Sequence, residues 1–214
     1  MLQIATVASD TLELLKTLMR DEKLSGFILA GGTNLALRLG HRKSVDLDLF
    51  PYKSFDGHKL QQYLTEKYHF EPEFVREHDT VKGLINGVKV DFVAHIYPPL
   101  NEPVVEEGIR LYSLNDIAAM KLVAISDSGK RLKDFVDMAY LSTKMSLNKM
   151  LSSYAGKYKN ANPMHALRGL SYFGDINFNA EIELTRGKFE WRKIEKRIGE
   201  MIKYENKTFE TFPI

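Results

Sequence analysis

Cysteine is absent from the 214-residue chain. That excludes disulfides, a thiol nucleophile and every thiolate-held zinc or iron–sulfur site. No apolar run approaches the roughly 20 residues that span a bilayer, and Asp10, Glu13 and Lys16 interrupt the stretch that a secretory signal would keep apolar. The expectation is therefore a soluble cytoplasmic protein with no membrane partner. The six histidines show no ligand spacing, and no Gly-x-Ser-x-Gly occurs, so histidine-held metal and serine acyl transfer both lack support. Repeats, low-complexity stretches and flexible linkers are missing too. What is present, 44% hydrophobic and 27% charged residues, suffices to bury a real core and excludes a disordered chain. Charge is uneven: residues 1–144 carry 18 basic against 20 acidic side chains, residues 145–214 carry 12 against 8. A mildly basic tail suits contact with a polyanion, and equally an ordinary solvated surface.

Hydrophobic periodicity places a helix over residues 8–22, with Leu12, Leu15, Leu18 and Met19 on one stripe and Ser9 as N-cap. Residues 26–30 read as a buried strand running into Gly31-Gly32, and 33–39 as short helical turns closed by Gly40. Val45 to Phe50 alternates as a strand and Pro51 ends it. Residues 60–68 are helical in pattern, and 73–75, 80–85 and 88–96 read as strands, with Asn86-Gly87 as a two-residue hairpin turn. After Pro98-Pro99 the pattern becomes helical: a capping box at Ser113 to Asp116, helices over 117–126 and 130–141, and an amphipathic stretch over 191–204. This predicts an α+β fold with a mixed sheet of four or five strands followed by a mainly helical region, divided as residues 1–112 and 113–214.

Within that layout, Asp46 and Asp48 share one strand face while Val45, Leu47 and Leu49 share the other, buried one. Two carboxylates held that close repel unless a cation sits between them. Mg²⁺ suits the pair because it takes hard oxygen ligands and shares its remaining positions with water and phosphate. Asp91 lies in the alternating stretch Lys89 to Val93. If that strand pairs beside the first, three carboxylates meet, which are the parts of two-metal phosphoryl transfer. Otherwise Asp91 faces solvent beside Lys89. Gly31, Gly32 and Thr33 form a strand-to-helix turn where backbone can approach a phosphate and helical N–H groups face an anion. Arg42 and Ser44 precede the Asp pair, where they either meet a triphosphate or are solvated loop residues.

Gly31-Gly32, thirteen further residues, then Asp46-Leu47-Asp48-Leu49, with Val90-Asp91-Phe92 downstream, resembles the nucleotidyltransferase fold of the polymerase-beta type. The fuller string Ala30 to Leu37 and Gly40 to Phe50, together with Asp116-x4-Lys121 and Arg131-x-Lys133-Asp134-x2-Asp137, is similar to the AbiEii/AbiGii toxin family. The resemblance covers roughly residues 26 to 141. It implies Asp46, Asp48 and Asp91 as catalytic metal ligands, Gly31, Gly32 and Thr33 as the phosphate turn, and Lys121 and Asp134 as nucleotide-site residues. It implies a toxin of a toxin–antitoxin or phage-defence system that moves a nucleotide from an NTP to an acceptor hydroxyl, with RNA (a tRNA 3′ end) as acceptor and a cognate antitoxin as partner.

The residues alone leave other readings open. Lys121 sits on an apolar helical stripe, where its stem could snorkel. Lys130 with Asp134 and Lys133 with Asp137 stand at the spacing of surface ion pairs. Asp116 reads better as a helix cap than as a catalytic acid, and His41 as a turn residue. Trp191 with its neighbouring Arg192, Lys193, Lys196 and Arg197 either contacts RNA or is one buried ring on a solvated helix. At the level of function the alternatives are a nucleotide-binding module that acts through a protein partner without turnover, and an adenylyltransferase that modifies a small molecule or a protein.

Overall fold

In the computed structural model, which describes residues 1–75 and 77–214, seven strands form one mixed sheet. They are β1 (Ile28–Leu29), β2 (Leu47–Phe50), β3 (Glu71–Pro72), β4 (Thr80–Ile85), β5 (Val88–Val93), β6 (Val104–Glu106) and β7 (Ile109–Leu111). Their spatial order is β3-β4-β5-β2-β1-β7-β6. β2 runs parallel to β5 and antiparallel to β1, and β7 lies parallel to β1 on its other side. The β4–β5 hairpin turns at Asn86 and Gly87, both at positive φ (51° and 77°), the backbone a two-residue primed turn needs.

Eight α-helices complete the described residues: α1 (Ser9–Arg20), α2 (Gly31–Leu39), α3 (Gly57–Tyr68), α4 (Leu114–Asp127), α5 (Leu132–Leu141), α6 (Leu147–Lys157), α7 (Pro163–Ser171) and α8 (Trp191–Lys203). Side-chain caps start several of them: Asp56 accepts from the Lys59 N–H, Ser113 from Asp116 and Ser146 from Lys149, while Asn162 stands before Pro163. These caps satisfy N–H groups that the first turn leaves without partners.

Two hydrophobic cores result. In one, Leu14, Leu15 and Leu18 of α1 and Leu64 of α3 pack on Leu29, Leu47, Leu49, Val90 and Phe92 of the sheet. In the other, α4 to α8 enclose Ile117, Leu122, Phe135, Met138, Ile194 and Ile198, joined by Leu35 and Leu39 of α2. Each fully buried Leu or Phe contributes about 1.5–3 kcal/mol relative to exposure. The second core packs α4 and α5 on α2, whose first residue, Gly31, stands against the Asp48 carboxylate.

The expected α+β architecture is present, with local corrections. The sheet has seven strands rather than four or five, because a β6–β7 hairpin around Glu107 (φ 51°) and Gly108 (φ 80°) precedes the helices. Residues 73–75 are not a strand; the pairing there is made by Glu71 and Pro72. Ser9 is the first helical residue, Ala8 is the cap, and no side chain caps that end. Val45 is 57% exposed instead of buried, because β2 begins only at Leu47 and the chain before it follows an isolated bridge from Ser44 to Val7.

Candidate active site

The site grows from the junction of β1, α2 and β2. β1 ends at Leu29, and α2 begins at Gly31 with φ +63°, a left-handed conformation that disfavours any residue with a side chain. A Cβ at Gly31 would collide with the Asp48 carboxylate, and one at Gly32 with the Arg42 guanidinium. The two glycines therefore give the Asp48 and Arg42 side chains the space in front of the helix. Asn34 locks the junction by donating to the carbonyls of Leu29 (2.8 Å) and Tyr112 (3.1 Å).

Asp48 on β2 stands directly opposite Asp91 on the parallel strand β5, so both carboxylates leave the same face of the sheet. Burial pushes the Asp48 carboxyl above its ordinary pKa, and the charges of Asp91 and Asp46 push in the same direction against the pull of Lys121. Lys82 Nζ approaches Asp91 Oδ2 at 3.3 Å. Asp91 Oδ1 is buried without a hydrogen-bond partner among the described residues. Asp46 is exposed at the mouth, on the approach to β2.

Two cavities share Asp48, Lys121 and Arg131 and form one cleft. The first, about 200 Å³, is polar and presents Arg42, Lys43, Lys121, Arg131 and Lys133 opposite Asp46, Asp48, Glu181 and Glu183. The second, about 300 Å³, lies over Gly31 and is walled by Phe50, His95, Ile117, Met120 and Tyr158. A basic chamber joined to an apolar one fits a phosphate chain joined to a planar base. The segment around Leu184 closes the basic side: Lys43 N–H donates to the Glu183 carbonyl (2.8 Å), and Thr185 N–H to that of His41 (3.0 Å).

Behind the basic chamber lies a buried charge network centred on Asp137 of α5. Arg42 Nε and Nη2 donate to its two oxygens at 2.7 and 3.0 Å, Lys121 Nζ reaches Oδ2 at 2.7 Å, and His41 Nε2 meets Oδ1 at 2.9 Å. Burial opposes the Asp137 charge, but Arg42 and Lys121 outweigh it and hold the carboxyl well below the usual range. Lys121 also bonds Asp134 Oδ1 at 2.5 Å. Burial opposes its charge, and Asp134 and Asp137 outweigh that and hold its pKa up. Burial keeps His41 neutral despite the carboxylate beside it. Because a carboxylate only accepts, the His41 proton is on Nε2.

The structure brings Gly31, Gly32, Arg42, Ser44, Asp46, Asp48, Lys121 and Asp134 to the cleft, with Asp91 beside Asp48. Thr33 is set apart: it is buried, shares a 2.8 Å hydrogen bond with the Ser44 hydroxyl and donates to the Asp46 carbonyl, so it braces the loop rather than lining the cleft. Several local readings are corrected. Asp134 and Asp137 are not partners in surface ion pairs with Lys130 and Lys133, because α5 turns both inward onto Lys121 and Arg42. Lys121 does not snorkel; its ammonium ends inside the carboxylate pair. His41 is a buried partner of Asp137 rather than a turn residue. Asp116 accepts from the Ser113 hydroxyl (2.6 Å) and pairs with buried Lys157 (2.7 Å), a structural role wider than a cap. Trp191 packs edge-on against Phe135, Phe173 and Phe178. Arg197 donates to the Ser142 hydroxyl, so these two residues face inward. Asp137, Arg131 and the apolar walls Phe50, His95 and Tyr158 are site residues that the sequence reading did not select; the Arg131-x-Lys133-Asp134-x2-Asp137 string was the available signal for two of them.

Among the described residues, no three His, Cys, Asp or Glu side chains converge closely enough to enclose a metal by themselves. The donors do suit Mg²⁺ held in part by substrate: hard carboxylate oxygens on Asp46 and Asp48 and an adjoining phosphate-sized basic chamber, with Asp91 Oδ1 left without a partner beside them.

The chain matches the family model described as nucleotidyl transferase AbiEii toxin, Type IV TA system, over residues 13–211. It is 36% identical over 155 residues to an uncharacterized protein, aq_aa25, of Aquifex aeolicus, covering 70% of this chain and 74% of that one. Its fold is similar to that of the JHP933 protein of Helicobacter pylori, with a TM-score of 0.55 and 19% identity over 92% of both chains. It is also similar to that of a putative nucleotidyltransferase from H. pylori, with a TM-score of 0.54 and 17% identity over 92% of this chain and 95% of that one.

Proposed function

The chain belongs to the AbiEii family of nucleotidyltransferase toxins, and on that premise we propose that it is a Mg²⁺-dependent transferase. It moves a nucleoside monophosphate from an NTP to a hydroxyl at the 3′ end of an RNA, with tRNA as the favoured class. The observation that carries this reading is the pairing of Asp48 with Asp91 at the head of a cleft whose basic and apolar chambers suit a triphosphate and a base.

Asp46 and Asp48 would hold Mg²⁺, with Asp91 beside them; when bound, the ion supplies charge neutralisation for the triphosphate. Arg42, Lys121 and Arg131 orient the β- and γ-phosphates and stabilise charge as it develops on the leaving group. The acceptor oxygen attacks the α-phosphorus, a new P–O bond forms, the α–β bridging P–O bond breaks and pyrophosphate leaves. Asp91 Oδ1, unpartnered and held by Lys82 through its other oxygen, takes the acceptor proton. The protein contributes positioning and electrostatics rather than a covalent intermediate.

The test is pyrophosphate release from each NTP in the presence of Mg²⁺, with and without total tRNA. Release that requires RNA is expected. Binding of NTP with no release under either condition supports instead the non-catalytic module acting through a protein partner such as the antitoxin, a reading favoured by the prior commitment of Lys121 to Asp134 and Asp137.

A further inference from the structure

The apolar chamber opens past His95, Val123, Asp127 and Tyr158 into a third cavity of about 650 Å³. That is ample for a nucleoside, ligand sites being about 300–1,000 Å³. It lies outside the chambers assigned above to the NTP, yet continues directly from them.

Its wall is aromatic and stiff. Tyr97 stands edge-on to Tyr158 with centroids 4.7 Å apart, His95 lies 5.2 Å from Tyr97, and Tyr154 backs Tyr158 at 5.6 Å. Tyr158 and Tyr154 are buried, whereas Tyr97 is 44% exposed, so the cluster offers one supported ring to solvent. The loop that carries it is fixed from below. Lys157 Nζ donates to the Pro98 carbonyl (3.2 Å) and to Asp116 Oδ1 (2.7 Å), and that same oxygen accepts from the Leu100 N–H (2.9 Å). Burial pushes the His95 pKa down to about 4, which keeps its ring neutral. At the rim, Lys159 and Asn160 are exposed. Lys157 is committed to Asp116, and among the described residues lining the groove Lys159 is the cation open to a phosphate, on the rim, with Asp127 on the side toward the apolar chamber.

We propose that this groove receives the unpaired 3′-terminal base of a single-stranded RNA acceptor, stacked on Tyr97, with Lys159 meeting the adjoining phosphate. The inference rests on the transferase reading above and adds to it where the acceptor lies. Three features favour a nucleic acid over a peptide. The groove is continuous with the chamber for the transferred nucleotide, a rigid ring is exposed at its wall, and the exposed Lys159 stands at its edge. Stacking on aromatic side chains is the general means of holding unpaired bases. A strand end lying there faces the apolar chamber, whose wall Asp48 shares.

The test is direct binding, without NTP or turnover, of a short 5′-fluorescein single-stranded RNA to the full chain by fluorescence anisotropy. Tyr97→Ala is expected to weaken binding by about ten- to a hundredfold, the range of one lost base stack. Tyr97→Phe, which keeps the ring, is expected to retain it. The same strand with its 3′ end closed in a blunt hairpin is expected to bind as weakly as the Tyr97→Ala protein binds the open strand. Equal affinity of wild type and Tyr97→Ala for the open strand, or no wild-type binding, overturns the proposal and leaves the groove to a protein segment. Label transfer from NTP is read separately. RNA bound through Tyr97 without transfer sinks the transferase reading alone, and transfer with an unaltered RNA KM in Tyr97→Ala sinks the groove alone.

Discussion

Asp48 and Asp91 face each other across the parallel β2–β5 register, and Lys82 engages only one oxygen of Asp91, leaving Oδ1 buried and unpartnered. An amide at that position keeps the shape but cannot take a proton. Asp91→Asn is therefore expected to lower kcat for transfer by about 10²- to 10⁴-fold, the range of general-base loss. The thermal midpoint is expected to stay close to that of wild type. Steady-state kinetics and a melting curve check this together; a kcat within threefold of wild type removes Asp91 from the chemistry.

Gly31 and Gly32 fail differently when substituted. Gly31→Ala combines left-handed strain, about 1–2 kcal/mol, with a collision at the Asp48 carboxylate. It is expected to lose both stability and transfer. Gly32 has ordinary φ and its Cβ meets the Arg42 guanidinium. Gly32→Ala should therefore lower NTP affinity and, by pushing Arg42 Nη2 off Asp137, take part of the buried network's stability without backbone strain. Urea denaturation alongside NTP titration separates the two.

The carboxylate of Asp137 is fully buried and holds Arg42, Lys121 and His41 at once. Removing one member of such a network strands the remaining charges, and Asp137→Ala is expected to cost about 3–5 kcal/mol of unfolding free energy. The exposed Lys196–Glu200 pair at 4.0 Å gives the contrast: Lys196→Ala is expected to change stability by less than about 0.5 kcal/mol. Urea midpoints measure both. Comparable effects of the two substitutions would show that the Asp137 network is not a buried unit.

Two acid transitions of stability follow from the titrating groups. His95, with its pKa pushed by burial from 6.5 to about 4, is native in its neutral form. Its contribution is complete above 6.5 and lost as pH falls toward 4, since the unfolded chain takes the proton first. Burial opposes the charge of Asp21, but hydrogen bonds from Tyr63, Tyr68, Lys67 and the Lys23 N–H outweigh it and bring its pKa from 3.8 to about 2. Its contribution is present above 3.8 and lost as pH falls through 2. Denaturation across pH is expected to flatten in the upper window for His95→Gln and in the lower one for Asp21→Asn.

Periodicity and turn chemistry made much of this architecture legible. Strict alternation marked β2 and β5, Asn86-Gly87 marked the β4–β5 hairpin, and the glycine pair marked the α2 turn beside Asp48. Residues whose partners are distant in sequence were not legible. Lys121 stood out on its apolar stripe, but its partners did not: Asp134 and Asp137 looked like surface groups because spacing within a helix reports neighbours on that helix, whereas packing of α4 on α5 turned both onto Lys121. The β6–β7 hairpin was hidden because its strands are three residues each, too short to show an alternating pattern. Thr33 sat in the glycine-rich motif, yet its hydroxyl was claimed by the Asp46 carbonyl, a contact only the fold reveals.

The central claim is that Asp46 and Asp48 support nucleotidyl transfer, and its most direct test is transfer of label from each α-labelled NTP to total tRNA in Mg²⁺. Wild-type protein and a folded Asp46→Asn variant are compared. Label on RNA with wild type and none with Asp46→Asn is the predicted result. Equal labelling by the two proteins, or NTP bound by wild type with no label on any acceptor, would contradict it.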